Sequence, residues 1–557
     1  MTTHNGSNPR GTAPPGTSLV PVRTPERDGM PVLPLAAPAT VVHPVMVWWR
    51  TVVVAARALP LVLSFVRDHR SRIVRGDRVP RSPAFHARRA ARLVETLGRL
   101  GPTFVKLAQL LGARADLVPE PYLAALGTLS DQAPLVPLAA VRRTIAREYG
   151  TPADEIFEWF DPAPLAAASL GQVHRARWRG HEVAVKVLRP GVERLVAADV
   201  RAAERLLALA ERWFPNPHLR GVRNAVREFG VRVWEELDFR HEAANAAAMR
   251  ANFAGRAGVA VPRVEPSLVR RRVLVMEYMP GTRIDRLQHL VASGRLDAEE
   301  LVRRVIELYM RMMLIDGFFH ADPHPGNLYY QEPPEGATGF GTIVVLDFGM
   351  VVPVSRELRR RLARAAFAGI RRDADGLVDG FYALGVADPR ADRATMRALV
   401  DALLDVAYTK GTTARDRIEL LADRVMSTLY DFPVTLPGDL VYFARTAALI
   451  EGLGARYDTR FNGVTFASPV ALRLRREISA ALREPGESEL AWLGGEFDVV
   501  GAVLTSALGG AMGGAVGDVI GEIAGAVYAA GREIVDLIAG IVGPLVAPRR
   551  NGDGAER

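Results

Sequence analysis

The spacing of hydrophobic positions changes several times along the chain, and each change marks a boundary. Residues 1–40, rich in Pro, Gly and Thr, have no period and predict a disordered tail. The run Val41–Val66 (VVHPVMVWWRTVVVAARALPLVLSFV) is apolar but interrupted by Pro44, Arg50, Arg57 and Pro60. Two central arginines make a spanning helix costly. The run therefore predicts a helix at a membrane surface or packed on the core, with Trp48 and Trp49 suited to an interface. Residues 85–160 repeat at helical spacing, whereas 164–190 change to period two, clearest in EVAVKVL (Glu182–Leu188). Helix is predicted again over 192–255, a buried strand in RRVLVMEYM (Arg271–Met279), and helix from about 297 to 318. Two strand-like runs, NLYYQ (Asn327–Gln331) and TIVVLDF (Thr342–Phe348), flank the hairpin-like connection PPEGATGFG. Residues 355–485 are mostly helical in pattern. Val499–Gly517 is then free of charge, and glycines recur at 509, 513, 517, 521 and 525. A four-residue glycine repeat lines one helix face and permits close packing, including a homodimer through that helix.

The resulting divisions are a tail (1–40), an apolar and basic membrane-proximal helical segment (41–84), a helical extension (85–160), two lobes (161–281 and 282–490), and glycine-rich apolar helices (491–557). A length of 557 residues agrees with several units, and an apolar share of 49% supplies a large core. The absence of Cys removes disulfides, thiolate nucleophiles and Cys-ligated metal centres. A net charge of +9 suits an anionic partner. Without an aromatic-basic platform it does not point to nucleic acid. Ten arginines against three acids between Arg67 and Arg99, beside the apolar run, form a membrane-surface signature.

Lysine usage is sharper. Lys106, Lys186 and Lys410 are the only lysines among 71 basic residues. Where arginine has replaced nearly every generic cation, a remaining lysine marks a position that needs a compact ammonium.

Two motifs carry phosphoryl-transfer chemistry. HADPHPGN (His320–Asn327) places Asn327 five residues after Asp322, and LDFG (Leu346–Gly349) puts Asp347 at the end of an apolar strand. A carboxylate positions the attacking group, and oxygen ligands hold Mg²⁺ against phosphates. Their order, with strands between them, is that of a kinase catalytic loop and metal-binding segment. Upstream, Val183, Val185 and Val187 share one strand face, with Ala184 and Lys186 on the other. Ala184 would lie against adenine and Lys186 would reach the phosphates. A buried ammonium requires a carboxylate. WEELDFRHEA offers Glu236, Asp238 and Glu242, predicted on one helix that could serve two different cations. In place of a glycine-rich phosphate loop stands PLAAASLGQVH, with Ala166, Ala167, Ala168 and Ser169, which must be stiffer. VLVMEYMPG (Val273–Gly281) is the matching hinge, with backbone groups near Glu277 and Tyr278 available to adenine.

Together with KLAQ (Lys106–Gln109), these motifs resemble the UbiB/AarF/ADCK family of atypical kinases over roughly residues 85–465. The chain departs from that pattern at Ala108, where the family usually has Gly, and at Gly171, where it often has Ala. The resemblance implies an α+β, two-lobed protein-kinase-like fold with an N-terminal helical extension, followed here by C-terminal glycine-rich apolar helices. It implies that Lys186 pairs with Glu242 and that Lys106 of the regulatory extension, beside Gln109, pairs with Glu236. Asp322 would be the catalytic-loop Asp, and Asn327 and Asp347 the Mg²⁺ ligands, with ATP as cofactor. It further implies an ATPase on the cytoplasmic face of the cell membrane that supports prenylquinone or other isoprenoid-lipid biosynthesis. Its partners would be membrane lipid or an isoprenoid intermediate, together with lipid-biosynthesis proteins. Two other readings share the nucleotide motifs. One is a small-molecule kinase of aminoglycoside or choline type, and the other a non-catalytic nucleotide-binding scaffold of a membrane biosynthetic complex.

Overall fold

The computed structural model describes residues 42–75, 82–111, 118, 121–127, 129, 135–167, 169–213, 217–322, 324–408, 437–457 and 461–484. The tail at 1–40, Ala168, Lys410 and the glycine-rich segment 491–557 lie outside the described residues.

Helices come first: α1 (Pro44–Arg75), α2 (Pro83–Leu100), α3 (Pro102–Leu111), α4 (Tyr122–Gly127), α5 (Leu138–Tyr149) and α6 (Ala153–Ile156). Strands β1 (Trp159–Ala167), β2 (Gly171–Trp178) and β3 (His181–Leu188) follow, then α7 (Val192–Trp213), α8 (Pro217–Glu236) and α9 (Phe239–Asn252). Next are β4 (Val259–Ala260), β5 (Val273–Glu277), β6 (Thr282–Arg283), α10 (Gln288–Ala292) and α11 (Ala298–Met310). The chain continues through β7 (Phe318–His320), β8 (Leu328–Gln331), β9 (Thr342–Val345) and β10 (Val351–Pro353). It closes with α12 (Arg356–Ile370), α13 (Ala374–Ala383), α14 (Arg393–Tyr408), α15 (Gly438–Tyr457) and α16 (Gly463–Leu482).

Proline does not break α1. The helix passes through Pro60, losing one backbone bond there, and packs against α7 and α2. Its inward face carries Val47, Val54 and Leu61, each buried. Arg50 also turns inward, pairing with the fully buried Asp199 of α7 and donating to the Leu100 carbonyl at 2.9 Å. Arg57 donates to the Arg99 carbonyl. Both arginines of the apolar run are thus directed at protein acceptors.

The first lobe is an antiparallel sheet in the order β1-β2-β3-β5. Its alternation is as the period predicts: Val183, Val185 and Val187 are buried with Val141 and Ile145 of α5 and with Phe157 and Phe160. The opposite face is covered by α7, α8 and α9, with Leu237 and Phe239 in that core. Ala166 and Ala167 belong to β1, paired with Val173 and Gln172, so these two alanines of the expected loop are strand. At the start of β2, a Cβ on Gly171 would meet the Val187 carbonyl at 3.1 Å and the Phe239 ring at 3.5 Å. That close approach leaves little room for a side chain at this position.

The carboxylate-bearing segment also differs from expectation. Glu236, Asp238 and Glu242 do not share a helix. α8 ends at Glu236, and Asp238 is the extended N-cap of α9, accepting from the Arg240 N–H at 3.1 Å. An N-cap residue takes non-helical geometry while its side-chain oxygen accepts from the first turn, and at Asp238 this breaks the helix.

In the second lobe, α11 relaxes into a π-helical stretch, Arg311–Asp316, ended by Gly317 at φ +62°. The left-handed turn favours glycine, and the Arg359 guanidinium packs 2.7 Å from where a Cβ would stand. A mixed sheet, β4-β9-β8-β6, and the β7–β10 ribbon lie over a core of α11, Phe319, Phe348 and the flank of α15. Helices α11, α12 and α16 share a second core. The architecture is a two-lobed α+β fold.

Candidate active site

The site lies where β3, α9, the β7–β8 segment and the end of β9 converge. Alternation on β3 points Lys186 away from the valine core. Its Nζ lies 2.7 and 2.9 Å from the two carboxylate oxygens of Glu242 in the first turn of α9. Asp347 Oδ2 is 3.5 Å away, and the Phe239 ring centroid 5.4 Å. Burial opposes the ammonium, but Asp347 and Glu242 outweigh it and raise its pKa. Burial pushes the Glu242 carboxyl up, with Lys186 opposing the shift. Asp347 behaves differently: burial works against its charge, yet Lys186 and then Lys106 hold its pKa down to about 2. Its φ of +60° is a left-handed conformation that a non-glycine residue adopts at a cost.

The two chemistry-bearing segments are zipped together through their backbones. Leu346 N–H donates to the Asn327 carbonyl at 2.8 Å, and Ala321 N–H to the Met350 carbonyl at 3.0 Å. His320 Nε2 lies 2.6 Å from the Asp347 carbonyl and 3.2 Å from that of Leu346. Asn327 Nδ2 donates to the Asp322 carbonyl at 3.1 Å and to Asp322 Oδ2 at 3.0 Å. With its nitrogen committed, the Asn327 amide presents its oxygen as a ligand. That oxygen and the partly exposed Asp347 carboxylate are oxygen donors of the type Mg²⁺ takes together with substrate phosphates, and they would hold it if both reach one ion. Among the described residues, no three His, Asp or Glu side chains form a metal cage of their own.

Lys106, on α3, lies 3.1 Å from Glu236 at the end of α8. Burial raises the Glu236 pKa, Lys106 lowers it, and Asp347 and Asp322 add to the rise. The extension therefore brings a charge pair into the field of both catalytic-type aspartates. Gln109 Nε2 donates to the Leu129 carbonyl at 3.3 Å, within the extension. Ala108 is fully buried inside α3.

At the hinge, the N–H groups of Glu277 and Tyr278 themselves are taken. Glu277 N–H donates to the Arg263 carbonyl at 2.7 Å and Tyr278 N–H to that of Glu182 at 3.1 Å. Donors to a purine would therefore come from beyond Tyr278. Ser169 is buried, and Ala184 is half-buried beside Lys186. Asp238 serves Arg240 rather than a lysine.

Three contacts were not anticipated. Phe239 forms the apolar wall beside Lys186. Asn245 Nδ2 donates to the Phe348 carbonyl at 3.0 Å, tying α9 to the segment after β9. Arg445, on the distant α15, lies 3.8 Å from Asp322. The 239–242–245 spacing, one turn per step, is the signal that could have revealed the first two. Arg445 left no such signal among many arginines.

Comparison with known proteins agrees with this geometry. A family model, the ABC1 atypical kinase-like domain, matches residues 128–380. An uncharacterized protein of Synechocystis is 32% identical over 395 residues, covering 70% of this chain and 68% of its own. Two chloroplastic Arabidopsis thaliana proteins, ACTIVITY OF BC1 COMPLEX KINASE 8 and 3, are 30% and 34% identical over 416 residues each. The matches cover 69% and 74% of this chain but 54% and 56% of the plant proteins, little more than half their length. With kinase-like motifs assembled in one cleft and relatives of this name and extent, the chain belongs to the ABC1 (UbiB) family of atypical kinases.

Proposed function

We propose that this chain binds Mg-ATP and hydrolyses it slowly or transfers its γ-phosphoryl, working at a membrane surface in support of prenylquinone or other isoprenoid-lipid biosynthesis. The observation that carries the nucleotide reading is the Lys186 cluster, in which one ammonium is held by Glu242 while a depressed-pKa Asp347 stands beside it. Lys186 would contact phosphates, and Asn327 and Asp347 would hold Mg²⁺, which would neutralise charge on the phosphates. Asp322 would orient the attacking hydroxyl or water and accept its proton.

The membrane part rests on α1. Pro44–Phe65 is the one described helix long and apolar enough to cross a membrane, and 17% of its most apolar stretch is buried. Val45, Trp48, Trp49, Val52, Leu59 and Leu63 are exposed and fall at helical spacing along one face. Beside that face, Arg57, Arg88, Arg89, Arg92 and Arg99 line a groove of about 710 Å³ between α1 and α2, with Glu95 as its only carboxylate among the described residues. Apolar stripe and cationic groove together suit the acyl and phosphate regions of an anionic bilayer. The lipid pathway itself comes from the family resemblance.

Calorimetry with Mg-ATP tests the nucleotide site. Asp347→Asn removes a charged metal ligand and should weaken Mg-dependent binding by about tenfold or more. Equal affinity in the wild type and the variant would refute the assignment.

A further inference from the structure

We propose that Arg445 is a cation supplied in cis to the transferring phosphoryl group, delivered to Asp322 by α15. The inference rests on the Mg-ATP reading above and extends it to the acceptor side of the site.

The two oxygens of Asp322 have different partners. Oδ2 accepts from Asn327, while Oδ1 faces Arg445 Nη2 at 3.8 Å. The other cations near the cleft are already engaged. Lys186 lies between Glu242 and Asp347, and Lys106 pairs with Glu236. Within the catalytic loop, His324 Nδ1 accepts from the Gly326 N–H at 3.0 Å and so faces its own backbone. Nucleotide-side charge is thus handled by lysine and metal ligands. On the acceptor side, Arg445 is the cation that an ion pair brings to Asp322 among the described residues.

Its position is well supported. The Phe443 ring packs edge-on against Phe319 at 5.2 Å. Tyr457 OH donates to the Ile284 carbonyl at 2.6 Å, and Arg456 to that of Asp285 at 2.6 Å. Tyr442, one turn before Arg445, accepts from Arg232 of α8 at 3.1 Å. α8 is the helix whose last residue pairs with Lys106, so α15 touches both the helix that carries that glutamate and the catalytic loop.

The chemistry gives such a group a place. In transfer, the acceptor oxygen bonds to the γ-phosphorus as the bond to the β–γ bridging oxygen breaks. The electron pair leaves with ADP, and the acceptor proton passes to Asp322. Charge spreads over the three equatorial oxygens in a loose transition state, where an arginine contributes most. A guanidinium 3.8 Å from Asp322 is already within reach of an oxygen bound at that carboxylate, and its fork can hold two phosphoryl oxygens at once.

The test uses the full-length chain as wild type, Arg445→Gln and Arg445→Lys, with thermal melting run on each. Calorimetry measures Mg-ADP affinity with and without aluminium fluoride, which mimics the phosphoryl group in flight. The expected result is Mg-ADP affinity within about twofold in all three. The gain on adding aluminium fluoride should fall by about tenfold or more in Arg445→Gln and less in Arg445→Lys. Steady-state hydrolysis by Arg445→Gln should show kcat lowered by about 10²-fold or more, with KM for ATP little changed. A wild-type fluoride gain and kcat in Arg445→Gln would overturn the proposal and leave the Mg-ATP reading standing. So would a change in KM alone. Should Arg445→Gln unfold, the same comparison in a normally melting Arg445→Lys decides. Failure of the wild type to bind Mg-ADP would overturn both.

Discussion

Lys186 occupies a space bounded by two carboxylates and the edge of an aromatic wall, and that enclosure explains why arginine has not replaced it. A guanidinium is longer and planar, so it cannot sit between Glu242 and Asp347 without displacing one of them. Lys186→Arg should abolish measurable Mg-ATP binding by calorimetry although charge is kept. Lys106→Arg should alter turnover while leaving the melting temperature within a few degrees, since its pair with Glu236 joins the extension to the site rather than holding a core. Lys410→Arg, outside the described residues, serves as the control and should be silent. Asp316 supplies a pH prediction. Burial raises its pKa from 3.8 to about 6, against the opposing effect of Arg256, Arg311 and Arg359. The geometry agrees, because Arg256 stands 3.6 Å away and Asp316 Oδ2 is buried without a donor. A carboxyl whose folded pKa lies above its unfolded value contributes stability below the unfolded pKa and loses it as pH rises through the folded one. The ionised group is therefore unfavourable at pH 7. Asp316→Asn should raise stability there by roughly 1–3 kcal/mol and have little effect at pH 4, measured by denaturant titration at both values.

Among the elements, the α8–α9 break and the inward face of α1 matter most. Asp238 caps α9 and thereby fixes where Glu242 emerges in its first turn. Asp238→Ala should cost about 1 kcal/mol, seen as a lower melting temperature, and should loosen the Lys186–Glu242 pair. Arg50 is a stronger case. Asp199 is fully buried, burial raises its pKa, and Arg50 opposes that rise. Removing only the arginine leaves an uncompensated carboxylate, so Arg50→Ala should destabilise by about 3–5 kcal/mol. Replacing both partners with apolar residues should recover much of that loss. A double variant no more stable than Arg50→Ala would show that the pair is not what joins α1 to α7. The apolar run and its arginines were legible in the sequence. Their separation onto outward and inward faces was not, because it depends on which acceptors α7 and α2 offer.

For the intact chain, the exposed face of α1 and the adjacent arginine groove yield a prediction about membranes. Liposome flotation should show binding that increases with the anionic lipid fraction. Replacing Trp48, Trp49, Leu59 and Leu63 with Gln should reduce it by about tenfold, and deleting residues 494–557 should reduce it separately. Each arginine near an anionic surface contributes about 1 kcal/mol, so 0.5 M salt should weaken what charge contributes and spare the apolar part. A protein that never floats with any lipid mixture would rule out the membrane reading.

Local chemistry alone was enough to identify the kinase-like core of this chain. Period-two alternation predicts which face of β3 carries Lys186, and the spacing of Asp322 to Asn327 and the strand before Asp347 specify their segments, because backbone geometry converts sequence distance directly into side-chain direction. Family-specific motifs added the pairing of Lys186 with Glu242 and of Lys106 with Glu236. The helix break at Asp238, the occupied hinge N–H groups, the wall at Phe239 and the approach of Arg445 could not be read in that way. Arg445 meets Asp322 across more than a hundred residues of chain. Whether such a pair forms depends on how helices and sheets pack against one another, and the spacing of residues within a segment carries no record of that packing.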